Sequence, residues 1–178
     1  MKKAYLIGTT VILIIFSAFT FVLPKQWVIS AGYKIKFSGK FADGIFENLK
    51  GTILFDPMDV SKSSFDVTVD VTSIETGKEL KNKHAVSEKW FDAEKFPVIH
   101  FVSSEVIKVD SAYIVKGALD LHGVKKEISI PFTFTAGNEK ASFQGSFKVN
   151  RGEFGIGKST GKDSDYTSVE ISVPVTVP

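Results

Sequence analysis

Apolar and polar residues alternate along most of the chain beyond residue 26. Residues 65–71 are the clearest case, because four apolar side chains alternate there with aspartate and threonine. A period of two puts the apolar side chains on one face of a β-strand, so such a run predicts a half-buried strand. Similar runs follow one another with turn signals between them, including a tight turn predicted at His122-Gly123. The pattern predicts about eight antiparallel strands.

A sheet of this size has edge strands to protect, and closure into a barrel removes them. An eight-stranded barrel has an interior that holds side chains or one small ligand. A sandwich of two sheets would produce the same alternation, so the periodicity leaves both architectures open.

Residues 78–92 break the alternation, since they are charged and contain neither glycine nor proline. Leu80, His84, Ser87 and Phe91 fall on one face at helical spacing. We predict one short helix over 78–92, which closes one end of the barrel. No repeat or linker divides the chain, so one domain accounts for everything beyond the N-terminal segment.

The N-terminal segment has the arrangement of an export signal. Lys2-Lys3 precede residues 4–23, which carry no charge. The run is long enough to span a bilayer, and Ala18-Phe19-Thr20 is a poor cleavage site. We predict that residues 1–24 are a hydrophobic helix, either a signal peptide or, slightly favoured, a membrane anchor. Residues 25–178 are then an exported domain, periplasmic or otherwise extracytoplasmic.

Charge and composition exclude several classes of function. The two N-terminal lysines account for the net charge of +2, and the other 20 basic residues balance 20 acidic ones. A neutral domain has no electrostatic footprint for nucleic acid. The chain has no cysteine, which excludes disulfides and thiolate chemistry. Its 16 phenylalanines, against 2 tryptophans and 4 tyrosines, favour a large apolar interior.

One motif imitates a nucleotide site. Residues 152–159 satisfy the P-loop pattern G-x-x-x-x-G-K-[ST], but that site needs a helix directly after the loop. Residues 160–165 form turns instead and lead into another strand, so nucleotide binding is not expected. Asp163 and Asp165 offer too few ligands for an EF-hand-type calcium loop, and a solvated loop is the better interpretation.

The three histidines give no sign of a catalytic or metal centre. His84, His100 and His122 are far apart in the sequence and show no metal-ligand spacing. We interpret them as structural or surface residues. Gly117 and Gly145 lie on apolar faces of strands, where each marks a bend or makes room for a ligand.

Several short segments, taken in order, resemble the YceI-like polyisoprenoid-binding family of bacterial exported proteins. They are GTILFD (51–56), TSIETG (72–77), KH (83–84), WFD (90–92), KFP (95–97), FVSS (101–104), GALDLHGVKK (117–126) and NRGEFGI (150–156). The resemblance implies a lipocalin-like, extended eight-stranded antiparallel barrel that holds an isoprenoid chain, such as a quinone tail. It implies neither an enzyme nor a metal.

The chain departs from the family pattern at three places. Lys81-Asn82 replaces a frequent Arg-Asp pair, and Ala85 replaces a leucine. The first hairpin, near residues 36–46, is shorter and lacks a histidine. If that hairpin frames the mouth of the barrel, these differences bear on the length and head group of the ligand.

We therefore predict that the barrel binds an isoprenoid or similar amphiphile, requires no other cofactor and is not an enzyme. The membrane is a second predicted partner, through the N-terminal segment, and a homodimer is left open. The competing hypothesis is a structural or interaction protein with a filled core. The predicted lining consists of Ile35, Phe37, Phe55, Val67, Val69, Phe101, Val115, Leu119, Ile130, Phe132, Phe143 and Phe147.

Overall fold

A computed structural model describes residues 25–137 and 140–178. Within them the chain forms one antiparallel sheet, one α-helix and four short 3-10 turns. The helix is α1 (Glu79–Ala85). The strands are β1 (Gln26–Ile29), β2 (Lys34–Gly39), β3 (Asp43–Phe46), β4 (Leu49–Leu54), β5 (Ser64–Asp70), β6 (Ile74–Glu75), β7 (Val98–Val109), β8 (Ala112–Leu121), β9 (Val124–Ala136), β10 (Lys140–Asn150) and β11 (Tyr166–Thr176).

Eight of these strands close into a barrel. They pair in the order β1, β4, β5, β7, β8, β9, β10 and β11, and β1 then pairs with β11 through Val28–Thr176 and Ile29–Val175. The other three strands extend the wall, since β2 runs along β11, β3 pairs with β2 and β6 pairs with β3. The predicted eight-stranded antiparallel barrel is confirmed, and its closure distinguishes it from a sandwich.

The alternation along each strand sorts side chains between the interior and the solvent. In β8, every second residue from Tyr113 to Leu121 is buried and faces the interior. Its partner β9 follows after His122 and Gly123, which both have positive φ, 55° and 75°. Two residues in this conformation make a type I′ turn, whose twist matches that of the flanking strands. The predicted hairpin is therefore present.

The helix is shorter than predicted, because it ends at Ala85 and does not continue to residue 92. The carbonyl groups of its last turn accept hydrogen bonds from residues that follow the helix. The Ser87 hydroxyl donates to the His84 carbonyl at 2.6 Å, and the Phe91 N–H donates to the Ala85 carbonyl at 3.0 Å. Leu80 is 67% exposed, so the apolar face expected there is not buried. The helical pattern was too short and too polar to fix its own end.

The predictions for residues 1–24 fall outside the described residues. In the parts of the chain that the structure describes, no helix combines the length and the apolar character needed to cross a bilayer.

Candidate ligand cavity

The interior of the barrel contains a cavity of about 500 Å³. Ligand pockets in proteins commonly measure about 300–1,000 Å³. Strand β10 lines the cavity with every second residue from Phe143 to Val149, which lies six residues further along the strand. At about 3.3 Å per residue, that is a length of roughly 20 Å. The cavity is therefore elongated along the strands.

Most of the residues predicted to line a pocket do line this cavity. They are Ile35, Phe37, Val67, Val69, Phe101, Val115, Leu119, Ile130, Phe132, Phe143 and Phe147. Phe55 is the exception. It follows the last residue of β4, its side chain is fully buried, and its ring packs behind lining residues such as Phe132 and Phe143 without lining the cavity itself. The alternation that pointed Phe55 inward was correct, but it does not distinguish a cavity wall from the end of the barrel.

Seven aromatic rings close the barrel at the end where Phe55 lies, and we call this cluster the aromatic floor. Phe55 is at its centre, with ring centroids 4.8 Å from Phe134 and 5.0 Å from Tyr113. The Trp27 indole N–H donates to the Phe55 carbonyl at 3.0 Å, which satisfies its only donor in a buried position. The members of the floor are Trp27, Phe55, Phe65, Tyr113, Phe132, Phe134 and Phe143.

The opposite end of the cavity is its mouth. There the turn between β2 and β3 contributes Lys40 and Phe41, and helix α1 contributes Lys81 and His84. Phe41 is 46% exposed, and its ring lies 5.6 Å from that of Trp90. The mouth therefore combines exposed aromatic and basic side chains, whereas the floor is apolar.

A buried ion pair holds the loop beside the mouth. Arg151, which follows β10, is 7% exposed, and its Nη2 donates to the Asp165 carboxylate at 2.8 Å. Its guanidinium also lies over the Phe41 ring, 4.5 Å from the centroid. The cation thus connects the loop before β11 to the aromatic side chains of the mouth.

Asp165 is fully buried and richly hydrogen-bonded. The N–H groups of Thr160 and Gly161 donate to it at 2.7 and 2.8 Å, and the Ser159 hydroxyl donates at 3.0 Å. Burial raises the pKa of this carboxyl, but the hydrogen bonds outweigh burial and lower its pKa to about 2. The interpretation of Asp165 as part of a solvated loop was wrong. The sequence does contain a signal for the buried pair. Ser, Thr and Gly residues that can donate hydrogen bonds precede Asp165, and the chain's one arginine, Arg151, lies 14 residues before it.

Residues 24–177 match the YceI-like domain family. The chain belongs to this family. The resemblance drawn from the sequence is confirmed, and it covers the whole of the barrel.

Individual relatives agree with this membership. A UPF0312 protein of Photorhabdus laumondii is 27% identical in an alignment of 193 residues that covers 97% of each chain. Among solved structures, BcnA of Burkholderia cenocepacia has a TM-score of 0.79 and 25% identity, over 84% of this chain and 100% of BcnA. A polyisoprenoid-binding domain from Saccharophagus degradans has a TM-score of 0.63 and 15% identity, over 88% of this chain and 100% of that domain. This last likeness is one of fold.

In this YceI-like barrel the P-loop imitation is part of the loop that the ion pair holds. Gly152 lies in a 3-10 turn, and the Ser159 hydroxyl that would bind a metal in a P-loop donates to Asp165 instead. The next element after the loop is a short 3-10 turn followed by β11, with no helix between them. The sequence-based rejection of nucleotide binding is therefore supported by the local fold.

The three histidines lie apart in the YceI-like barrel. His84 lines the mouth, and His100 contacts Asp66 across strands at 2.7 Å. The Nδ1 of His122 lies 3.0 Å from the Phe154 carbonyl, which fixes the hairpin against the loop after β10. In the described ranges, no three His, Asp or Glu side chains converge as a metal site would require.

The two inward glycines serve the wall in different ways. A Cβ on Gly117 would meet the Val102 carbonyl at 2.2 Å, next to a register shift in β7 between Ser103 and Glu105. Gly117 is therefore needed for close strand approach at a bulge. Gly145 lines the cavity, and it is the last residue of β10 that pairs with β9.

Proposed function

We propose that this YceI-like barrel binds a polyisoprenoid or similar amphiphilic lipid in its cavity and does not catalyse a reaction. The observation that carries the proposal is the unfilled apolar interior, closed at the aromatic floor and open at the mouth. A linear tail fits an elongated space of this kind. The polyisoprenoid-binding domain of Saccharophagus degradans has the same fold, which supports the choice of ligand class.

Apolar burial supplies the driving force in this proposal. At about 25 cal/mol per Å², a tail that buries roughly 300 Å² would gain about 7.5 kcal/mol. Association and ordering of the tail offset part of that gain. An extended cavity favours a long tail, because each further carbon adds apolar contact. The loss of translational and rotational freedom on binding, in contrast, does not grow with the length of the tail.

We also propose an extracytoplasmic location, with the lipid carried, stored or sensed in the cell envelope. The sequence of residues 1–24, two lysines followed by an uncharged apolar run, supports export. A quinone-like molecule meets the requirement for the tail, because its isoprenoid chain matches the cavity and its ring would remain at the mouth.

The test is to extract the purified protein with organic solvent and identify the bound lipid by mass spectrometry. We expect about one isoprenoid or similar amphiphile per chain. The variant Val169→Trp puts a large ring into the cavity lining and should lower the lipid content several-fold. Ser168→Trp, one residue earlier on β11 and exposed, is the matched control and should keep it. An empty wild-type protein, or equal lipid content in the two variants, would refute the proposal.

A further inference from the structure

The charged side chains that line the cavity all have the same sign. Among the described residues these are Lys40, Lys81 and Arg151, joined by the imidazole of His84, and no aspartate or glutamate lines the cavity. We call this group the basic mouth. The whole chain has 22 basic and 20 acidic residues, so the segregation is a property of this place and not of the composition.

Two charges of the basic mouth are uncompensated. Within the described ranges, neither Lys40 nor Lys81 has a carboxylate at ion-pair distance. The acid on the same helix as Lys81, Glu79, is already paired with Lys83 at 2.7 Å. The Lys40 ammonium lies over the Phe41 ring, 5.8 Å from its centroid, a contact that leaves its charge uncancelled.

Arg151 contributes a donor and no net charge. Asp165 balances its charge, but its Nε–H is buried and has no acceptor among the described residues. The mouth therefore offers two free positive charges, those of Lys40 and Lys81, beside the opening of an apolar tunnel.

We infer that the lipid carries an anionic oxygen head group, a phosphate monoester or a carboxylate, held at the basic mouth by Lys40 and Lys81. This inference rests on the proposed function, since the head group is placed by a tail in the cavity. An anion at the mouth is attracted by both lysines, whereas a neutral head group gains little from them and a cationic one is repelled.

The experiment measures the head-group preference directly. The delipidated full chain, in a non-ionic detergent, is offered equal amounts of farnesyl phosphate and farnesol, and separately of palmitate and hexadecanol, and native mass spectrometry counts the bound forms. The ratio is compared with that of a double variant, Lys40→Gln with Lys81→Gln, so that unequal partition of the ligands into detergent cancels. We expect a preference for the anion roughly tenfold higher in the wild type, because the two lysine ammonium groups attract an anion and not an alcohol.

Matched controls separate this effect from general electrostatics. Lys34→Gln with Lys50→Gln removes the same charge from exposed positions on β2 and β4 that do not line the cavity, and should keep the preference. The preference should also fall as ionic strength rises. Equal ratios in the wild type and the Lys40/Lys81 variant would overturn the inference. Tight binding of the alcohols with no gain from the anion would overturn it while leaving the proposed function intact, and failure of all four ligands to bind would refute both.

Discussion

The dense packing of the aromatic floor predicts that a substitution there destabilises the protein far more than the same substitution at the mouth. Phe55→Ala removes a fully buried ring that contacts five others at centroid distances of 4.8 to 6.2 Å. Deleting a buried phenylalanine side chain costs about 3–5 kcal/mol. Each favourable ring pair adds about 0.5–1.5 kcal/mol beyond burial, so we do not expect this site to fall at the low end of that range. We expect a loss of about 4 kcal/mol in the free energy of unfolding.

The assay is urea unfolding of delipidated protein, because a bound lipid would add its own stabilisation. Phe41→Ala is the control, since it removes the same atoms from a ring that is 46% exposed at the mouth, and it should cost less than about 1.5 kcal/mol. For a protein of this size, a 4 kcal/mol loss corresponds to a fall in Tm of roughly 8–16 °C. Phe55→Ala costing no more than Phe41→Ala would refute the view that the floor is a packed plug.

Two further predictions concern the wall and the ion pair. Gly117→Ala should destabilise the barrel by about 2 kcal/mol or more, since its Cβ would meet the Val102 carbonyl at 2.2 Å; near-wild-type thermal unfolding would contradict the close approach. Asp165 has its pKa lowered to about 2 in the folded protein, against an ordinary value of 3.8, so its carboxylate stabilises the fold above about pH 4 and that contribution is lost as pH falls towards 2. In urea titrations, the stability advantage of the wild type over Asp165→Asn should therefore shrink from pH 5 to pH 2, and an advantage independent of pH would contradict this assignment.

Local features were the most predictable part of the fold. The strands follow from alternation and the tight turn from His122-Gly123, because both depend on neighbouring residues and the geometry of one strand or turn. The helix was located but overextended, since Ser87 and Phe91 donate to the carbonyls of its last turn and direct the chain into turns.

By itself, the sequence determined which side chains face the interior, because a strand turns every second residue to the same side whatever lies opposite. It did not determine what the interior contains. Phe55 became part of the floor and Phe37 part of the cavity wall because of where their strands end relative to the others, which is a property of barrel closure. The pairing of Arg151 with Asp165 was likewise decided by the tertiary structure, since only a folded loop brings together a cation and an acid 14 residues apart and supplies the hydrogen bonds that let the acid stay charged when buried.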